Sequence, residues 1–184
     1  MPGSQNIRHA AHVLEQGGVI AYPTEGVYGL GCLPDDVDAV KRILTIKQRD
    51  PDMGLVLIAA DIEQLEDWIA LPDEHPDLGS SNERPVTWIV PATDRAPDLV
   101  RGRHSGLAIR LTSHPVARAL CEATGSALVS TSANISGHPP APNPYILRRQ
   151  FGELVDYIVP GDLGGAGSAS EIRDLLTGNV LRSA

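Results

Sequence analysis

Apolar residues mark out the chain in alternating helical and extended spacings. Ile7, Ala10, Ala11 and Leu14 recur at helical intervals, and Gly17-Gly18 can close that helix. Val19 to Tyr22 reads as a strand. A second helix presents Val37, Val40, Ile43 and Leu44, with Asp35 or Asp36 as its cap. It ends near Lys47-Gln48-Arg49, because Pro51 prevents continuation. Leu55 to Ala60 is wholly apolar, as in a strand covered on both faces. Residues 61–70 read as helix and 72–84 as a polar loop. "PVTWIVPA" (85–92) and "GLAIRLT" (106–112) read as strands. A helix is expected over 114–124, with Val116, Ala119 and Leu120 inward and Gly125 at its end. "ALVSTSAN" (127–134) is a strand that turns polar as it leaves the core. A Pro-rich loop, a short helix near 145–151, a Gly-rich stretch and short strands near Ile172 and Val180-Leu181 complete the chain. Interleaved strands and helices imply an α/β fold: one twisted mixed sheet with helices on its faces. The periodicity leaves strand order open.

One stretch departs from ordinary scaffold. "IAYPTEGVYGLGC" (20–32) leaves a strand through Thr24-Glu25 and places glycines at 26, 29 and 31. A chain that only had to turn would need fewer. Either a ligand comes close to the backbone here, or a tight hairpin does the same work.

Composition narrows the classes. The 184 residues suit one well-buried domain spanning 1–184, with an aliphatic core and a single Phe. A net charge of -8 argues against a general nucleic-acid coat and leaves room for a local basic pocket. Cys32 and Cys121 lack disulfide-framework or metal-ligand spacing. There is no apolar signal core, and no apolar run approaches a membrane span, so a cytoplasmic protein without membrane contact is expected.

Four features could carry chemistry. Lys47 and Arg49, two apart at a helix end, could grip a polyphosphate or a carboxylate; equally, they could only complement the helix dipole. In "VSTSANISG", Ser130, Ser132 and Asn134 share one face of an extended chain, where a strand end meets a ligand loop or a plain turn. Arg110 shares a face with Ala108 and Thr112, and a buried guanidinium there needs an anionic partner, internal or bound. Arg182, beside Val180-Leu181, poses the same question. No P-loop, dinucleotide fingerprint, nucleophile elbow or HExxH occurs. The residues therefore describe a pocket of amides, hydroxyls and cations for an anionic small molecule, acting by positioning and charge stabilisation, with no protein metal cage.

Taken together and in order, these motifs resemble the YrdC/TsaC family of threonylcarbamoyl-AMP synthases. "YPTEGVYGLGC", "KQR…GLVLIAA", "PVTWIVPA", "GLAIRLTSHP", "LVSTSANISG" and "SEIRDLLTGNVLR" look like its successive signatures, from about Ile7 to Arg182. The resemblance implies a YrdC-like fold with a concave ligand cavity. It also implies a nucleotidyltransferase that joins L-threonine, bicarbonate and ATP into threonylcarbamoyl-adenylate and pyrophosphate, with Mg²⁺. Downstream proteins would pass the group to adenosine 37 of tRNA, and tRNA itself is a further candidate partner. Carried over to this chain, Lys47 and Arg49 would meet the phosphates as catalytic residues. Ser132 and Asn134 would lie on the adenylate, and Arg182 would reach the triphosphate. Thr24, Arg110, Thr131 and Ser170 would surround the threonine, Arg110 against its carboxylate. Glycines 26, 29 and 31 would let a wall pass close to the adenylate.

The chain departs from the family pattern in places. Asp50 stands where Pro often follows K-x-R, Ile58 where longer members carry a His, and "ERPVT" where "PGPVT" is common. The C-terminal domain of those longer members has no counterpart, so the single-domain version is expected. Two other readings use the same fold. One is a non-catalytic RNA-binding module, disfavoured by the acidic balance. The other is a carbamoyl-transfer domain, whose usual zinc-finger and acylphosphatase neighbours are missing.

Overall fold

A computed structural model describes residues 3–79 and 84–183. Residues 80–83, part of the expected loop and including Glu83 of "ERPVT", lie outside the described residues. The helices are α1 (Ser4–Glu15), α2 (Val37–Lys47), α3 (Asp98–Arg101), α4 (Pro115–Thr124) and α5 (Pro144–Phe151). The strands are β1 (Ile20–Pro23), β2 (Tyr28–Cys32), β3 (Val56–Ala59), β4 (Val86–Pro91), β5 (Gly106–Leu111), β6 (Leu128–Ser132), β7 (Tyr157–Ile158), β8 (Glu171–Asp174) and β9 (Val180–Arg182). All nine join one sheet in the order β7-β1-β2-β6-β3-β5-β4-β8-β9. β1–β7, β3–β5 and β4–β8 are parallel and the other pairs antiparallel, so the expected mixed α/β sheet is what forms.

Local chemistry explains most element ends. Asp36, not Asp35, caps α2 by accepting from the Ala39 amide at 2.9 Å. α2 stops at Gln48, the only non-glycine described at positive φ (50°), and a 3₁₀ turn over Pro51–Met53 follows. Two expectations need correction. The 61–70 stretch is one 3₁₀ turn (Ile62–Leu65), not a full helix. Ile69 leaves to bridge Ala92, and the Ala70 amide donates to Pro91 O, so sheet-edge pairing ends the turn. On α4 the buried stripe is Val116, Ala117, Leu120 and Cys121; Ala119 is only half-buried.

The two faces of the sheet are covered differently. One face carries Leu30, Leu57, Ala59, Trp88, Val90, Leu107, Ile109 and Val129 in a large core under Ala39, Val40, Ile43 and Leu44 of α2. The other is covered by helices α1 and α4 over Ile20, Tyr22, Ile58 and Leu128, which form a second, smaller core. Beyond those helices, pairing in register puts Val56 beside both Ala108 and Ser130, Ala108 beside Ile89, and Thr87 beside Ile172 on that same face. Partners in register share a face, so this half of the sheet forms the floor of a cavity, not more core. No helix among the described residues is long and apolar enough to cross a membrane.

Candidate functional site

The cavity measures about 490 Å³, the scale of a small-molecule site. Its floor is Val56, Ala108, Arg110 and Ser130. Thr24, Gly26, Gly29, Thr131 and Ser132 form one wall, Arg49, Gly54, Val100, Arg101 and His104 another. Ser168, Ser170, Ile172, Leu181 and Arg182 form the third. Four arginines line it and, among the described residues, no carboxylate does, in a chain of net charge -8. Positive charge is concentrated here against the overall balance, which marks an anion site.

Arg49, Arg110 and Arg182 form a line of mutual repulsion. Arg49 donates to Gly54 O through Nε (3.1 Å) and Nη2 (2.9 Å), and burial, then the Arg182 charge, pushes its pKa below the ordinary value. Arg182 donates to Ser170 O at 2.7 Å and is likewise lowered by burial and then by Arg110. Three guanidiniums held together without a carboxylate in the lining are a standing demand for negative charge.

Arg110 faces the cavity with an internal carboxylate behind it. Its Nη2 lies 3.5 Å from Glu25 Oε2, a loose ion pair, and its buried Nε has no hydrogen-bond partner among the described residues. Both partners foreseen for this guanidinium are therefore in play: an internal carboxylate, and a cavity open to a bound one.

Lys47 sits differently from the expected phosphate clamp. It is 2% exposed and absent from the cavity lining. Its Nζ donates to Ser132 O (2.6 Å), Asn134 O (2.9 Å) and Asn134 Oδ1 (2.8 Å), which engages all three ammonium protons. Burial, then the Arg49 charge, pushes its pKa down to about 8. Asn134 also lies behind the wall: Oδ1 accepts from Ser132 Oγ at 2.6 Å and Nδ2 donates to His138 O. Lys47 and Asn134 thus brace the hydroxyl-rich loop, while Arg49 and Ser132 face the cavity.

The remaining expected residues do line it. Thr24 Oγ1 donates to Val27 O at 2.6 Å across the β1–β2 turn, and Ser170 Oγ bonds Thr87 Oγ1 at 2.7 Å. Ser130 and Thr131 lie between, on alternate faces of β6. Sequence reasoning missed Arg101 and His104, for which "RGRHSG" offered no signal beyond its charge. It noted Glu25 only as a neighbour of Thr24. Ile58, at the His position of longer members, is fully buried under the α1–α4 core.

The glycines separate into two groups. A Cβ on Gly26 would lie 1.8 Å from Ser168 O, and one on Gly31 would lie 2.6 Å from Val129 O and 2.8 Å from Tyr22 Cε1. The protein's own backbone and Tyr22 demand those two. At Gly29, which also lines the cavity, a Cβ would meet only side chains, the nearest Thr24 Cγ2 at 3.3 Å, so there the crowding is milder and comes from groups that can shift.

Among the described residues no three His, Cys, Asp or Glu side chains come together as a metal cage. The polar side chains of the cavity lining are arginines, hydroxyls and His104.

Residues 12–184 match the family profile for Sua5/YciO/YrdC, described as "Telomere recombination". A protein of Halorhodospira halophila named threonylcarbamoyl-AMP synthase is 50% identical over 98% of this chain and 97% of its own. The crystal structure of P. abyssi Sua5 complexed with L-threonine superposes with TM-score 0.82 at 31% identity, over 95% of this chain and 52% of that one. This chain thus spans about half of that longer protein. E. coli YciO superposes with TM-score 0.82 at 26% identity, over 100% of this chain and 91% of its own.

Proposed function

The chain belongs to the Sua5/YciO/YrdC family, and from that premise we propose that it is a threonylcarbamoyl-AMP synthase. It joins L-threonine, bicarbonate and ATP into threonylcarbamoyl-adenylate, pyrophosphate and water, with magnesium entering on the nucleotide. The observation that carries this reading is the cavity with four arginines and no carboxylate among its described lining residues. Each of the three substrates brings an anionic group, and none needs a protein nucleophile.

In this scheme the amine of threonine attacks the bicarbonate carbon and gives a carbamate, with loss of water. A carbamate oxygen then attacks the α-phosphorus, and the bond to pyrophosphate breaks. Arg110 faces the threonine carboxylate, with Thr24 and Ser170 beside it. Arg49 and Arg182 take the phosphates, Ser132 lies on the adenylate, and Thr131 borders both halves. Lys47 and Asn134 hold the loop that presents Ser132. Catalysis is alignment plus charge neutralisation, which suits a site without an acid–base pair. The product is an activated acyl-adenylate, so downstream transfer proteins that deliver it to tRNA are the natural partners. The RNA-binding alternative loses ground because the arginine line points into a concavity, not along an open surface.

Pyrophosphate release by the purified protein tests the reading. With MgATP, release should require both threonine and bicarbonate, with the adenylate seen by mass. Release without threonine, or none from folded protein, would refute it.

A further inference from the structure

Among the described residues of the site region, no other carboxylate is placed like Glu25. It is fully buried and takes no part in the cavity lining. Oε1 accepts from Thr112 Oγ1 (2.6 Å), the Ser113 amide (3.2 Å) and the His114 amide (3.4 Å), at the entry to α4. Oε2 has no hydrogen-bond partner among the described residues and looks at Arg110 Nη2 from 3.5 Å. Its backbone is fixed as well: the Ala166 amide donates to Glu25 O at 2.9 Å, and the Gly164 amide to Thr24 O at 3.0 Å. One residue therefore ties together the β1–β2 hairpin, the β5–α4 turn and the glycine-rich segment that closes the third wall.

The slack in the ion pair is informative. A closed, two-bond pair would use up the fork of Arg110 and neutralise it for any ligand. A guanidinium with no partner would be too costly to bury. With Oε1 saturated by three donors, Glu25 cannot rotate to close on Arg110. It supplies a fixed negative charge behind the guanidinium and leaves the front of the fork free. Burial works against ionisation of Glu25, but Arg110 and the Thr112 hydrogen bond prevail and hold its pKa below the ordinary carboxylate value. His114, another titratable group near this carboxylate, is kept towards its neutral form by burial, and its Nε2 hydrogen is taken by Asp162 O.

We propose that Glu25 is a positioning residue that aims the fork of Arg110 at the carboxylate of the amino-acid substrate, and so sets the preference for a free amino acid over its neutral-headed analogues. This rests on the threonine reading above.

Glu25→Gln tests it, because glutamine keeps the shape and the three bonds to Oε1 but turns an amide donor towards a donor. The Michaelis constant for threonine should rise about tenfold, while that for ATP changes less than about twofold. The constant for L-threonine amide, which lacks the carboxylate charge, should hardly move, so the preference for threonine over the amide narrows. A parallel rise for threonine, the amide and ATP would mean a purely structural role and would overturn the inference, as would no change at all. Should Glu25→Gln fail to fold by circular dichroism, Thr112→Val removes the shortest bond to the carboxylate and should raise the threonine constant alone about threefold. If the wild type shows no turnover, the synthase reading falls on that result. Calorimetric titration of threonine into both proteins then decides Glu25 separately: weaker binding to the variant supports it, equal affinity overturns it.

Discussion

Replacing Lys47 and replacing Arg49 should damage the protein in different ways, although the sequence offers them as one motif. Lys47 is buried with three bonds to the 132–134 loop. Its partners are all neutral oxygens, so removing the ammonium strands no charge but leaves buried acceptors unmet, at about 1–3 kcal/mol. Lys47→Met also relieves the burial penalty that depresses its pKa, so a middle value applies, about 2 kcal/mol. For a chain of this size that corresponds to a fall in Tm of roughly 4–8 °C. Arg49 is only half-buried, it donates to the nearby Gly54 and Met53 carbonyls, and its guanidinium lines the cavity. Arg49→Ala should cost only about 1 kcal/mol in stability. It should nonetheless cut pyrophosphate release at least about tenfold by removing a phosphate contact. Thermal and urea melts, run beside the pyrophosphate assay, separate the two. Lys47→Met with unchanged Tm and lost turnover would show a lysine that meets the substrate directly, and the bracing account would be wrong.

Two further outcomes follow from the same geometry. Because Lys47 is pushed down to about 8 from 10.5, the folded state releases this proton first, and stability from this group rises between about pH 8 and 10.5 as the burial penalty is relieved. Nucleotide affinity should move the other way, weakening above about pH 8 as the brace loses a donor. Urea melts and ATP titrations at pH 7 and pH 9.5 check both signs, and Lys47→Met should abolish both trends. Gly26→Ala should destabilise by about 1–3 kcal/mol, because its methyl would collide with Ser168 O. Gly29→Ala should cost less than Gly26→Ala, because side chains and not backbone must give, and should raise substrate Michaelis constants; the opposite ranking in melts would refute the division of the glycines.

The elements were legible in the sequence wherever a period or a breaker speaks locally. Asp36 and Pro51 bound α2, and alternation in 106–112 puts Arg110 opposite the core residues Leu107 and Ile109. What the sequence hid is relational. Sheet order, the pairing of Ile69 with Ala92 and the brace from Lys47 to Asn134 all link distant positions, and no window of residues carries them. The site was legible as a set of residue types but not as layers. A lysine that meets a phosphate and one that braces the loop behind it look alike in one dimension. Glu25 was overlooked for the same reason: its importance lies in the 3.5 Å left open beside it.

The last strand has a consequence for how the cavity behaves. β9 touches the sheet through β8 alone, and Val180, Leu181 and Arg182 are exposed along it, yet Arg182 supplies one of the three guanidiniums of the anion line. An edge held on one side frays more readily than the strands inside the sheet. Each ligand that needs Arg182 must first draw from the fraction of molecules in which that edge is zipped, and its apparent affinity is lowered by that fraction. Occupancy in turn pins the edge. Amide exchange at the rim of the sheet, far from the buried core, thereby becomes a gauge of whether the cavity is filled.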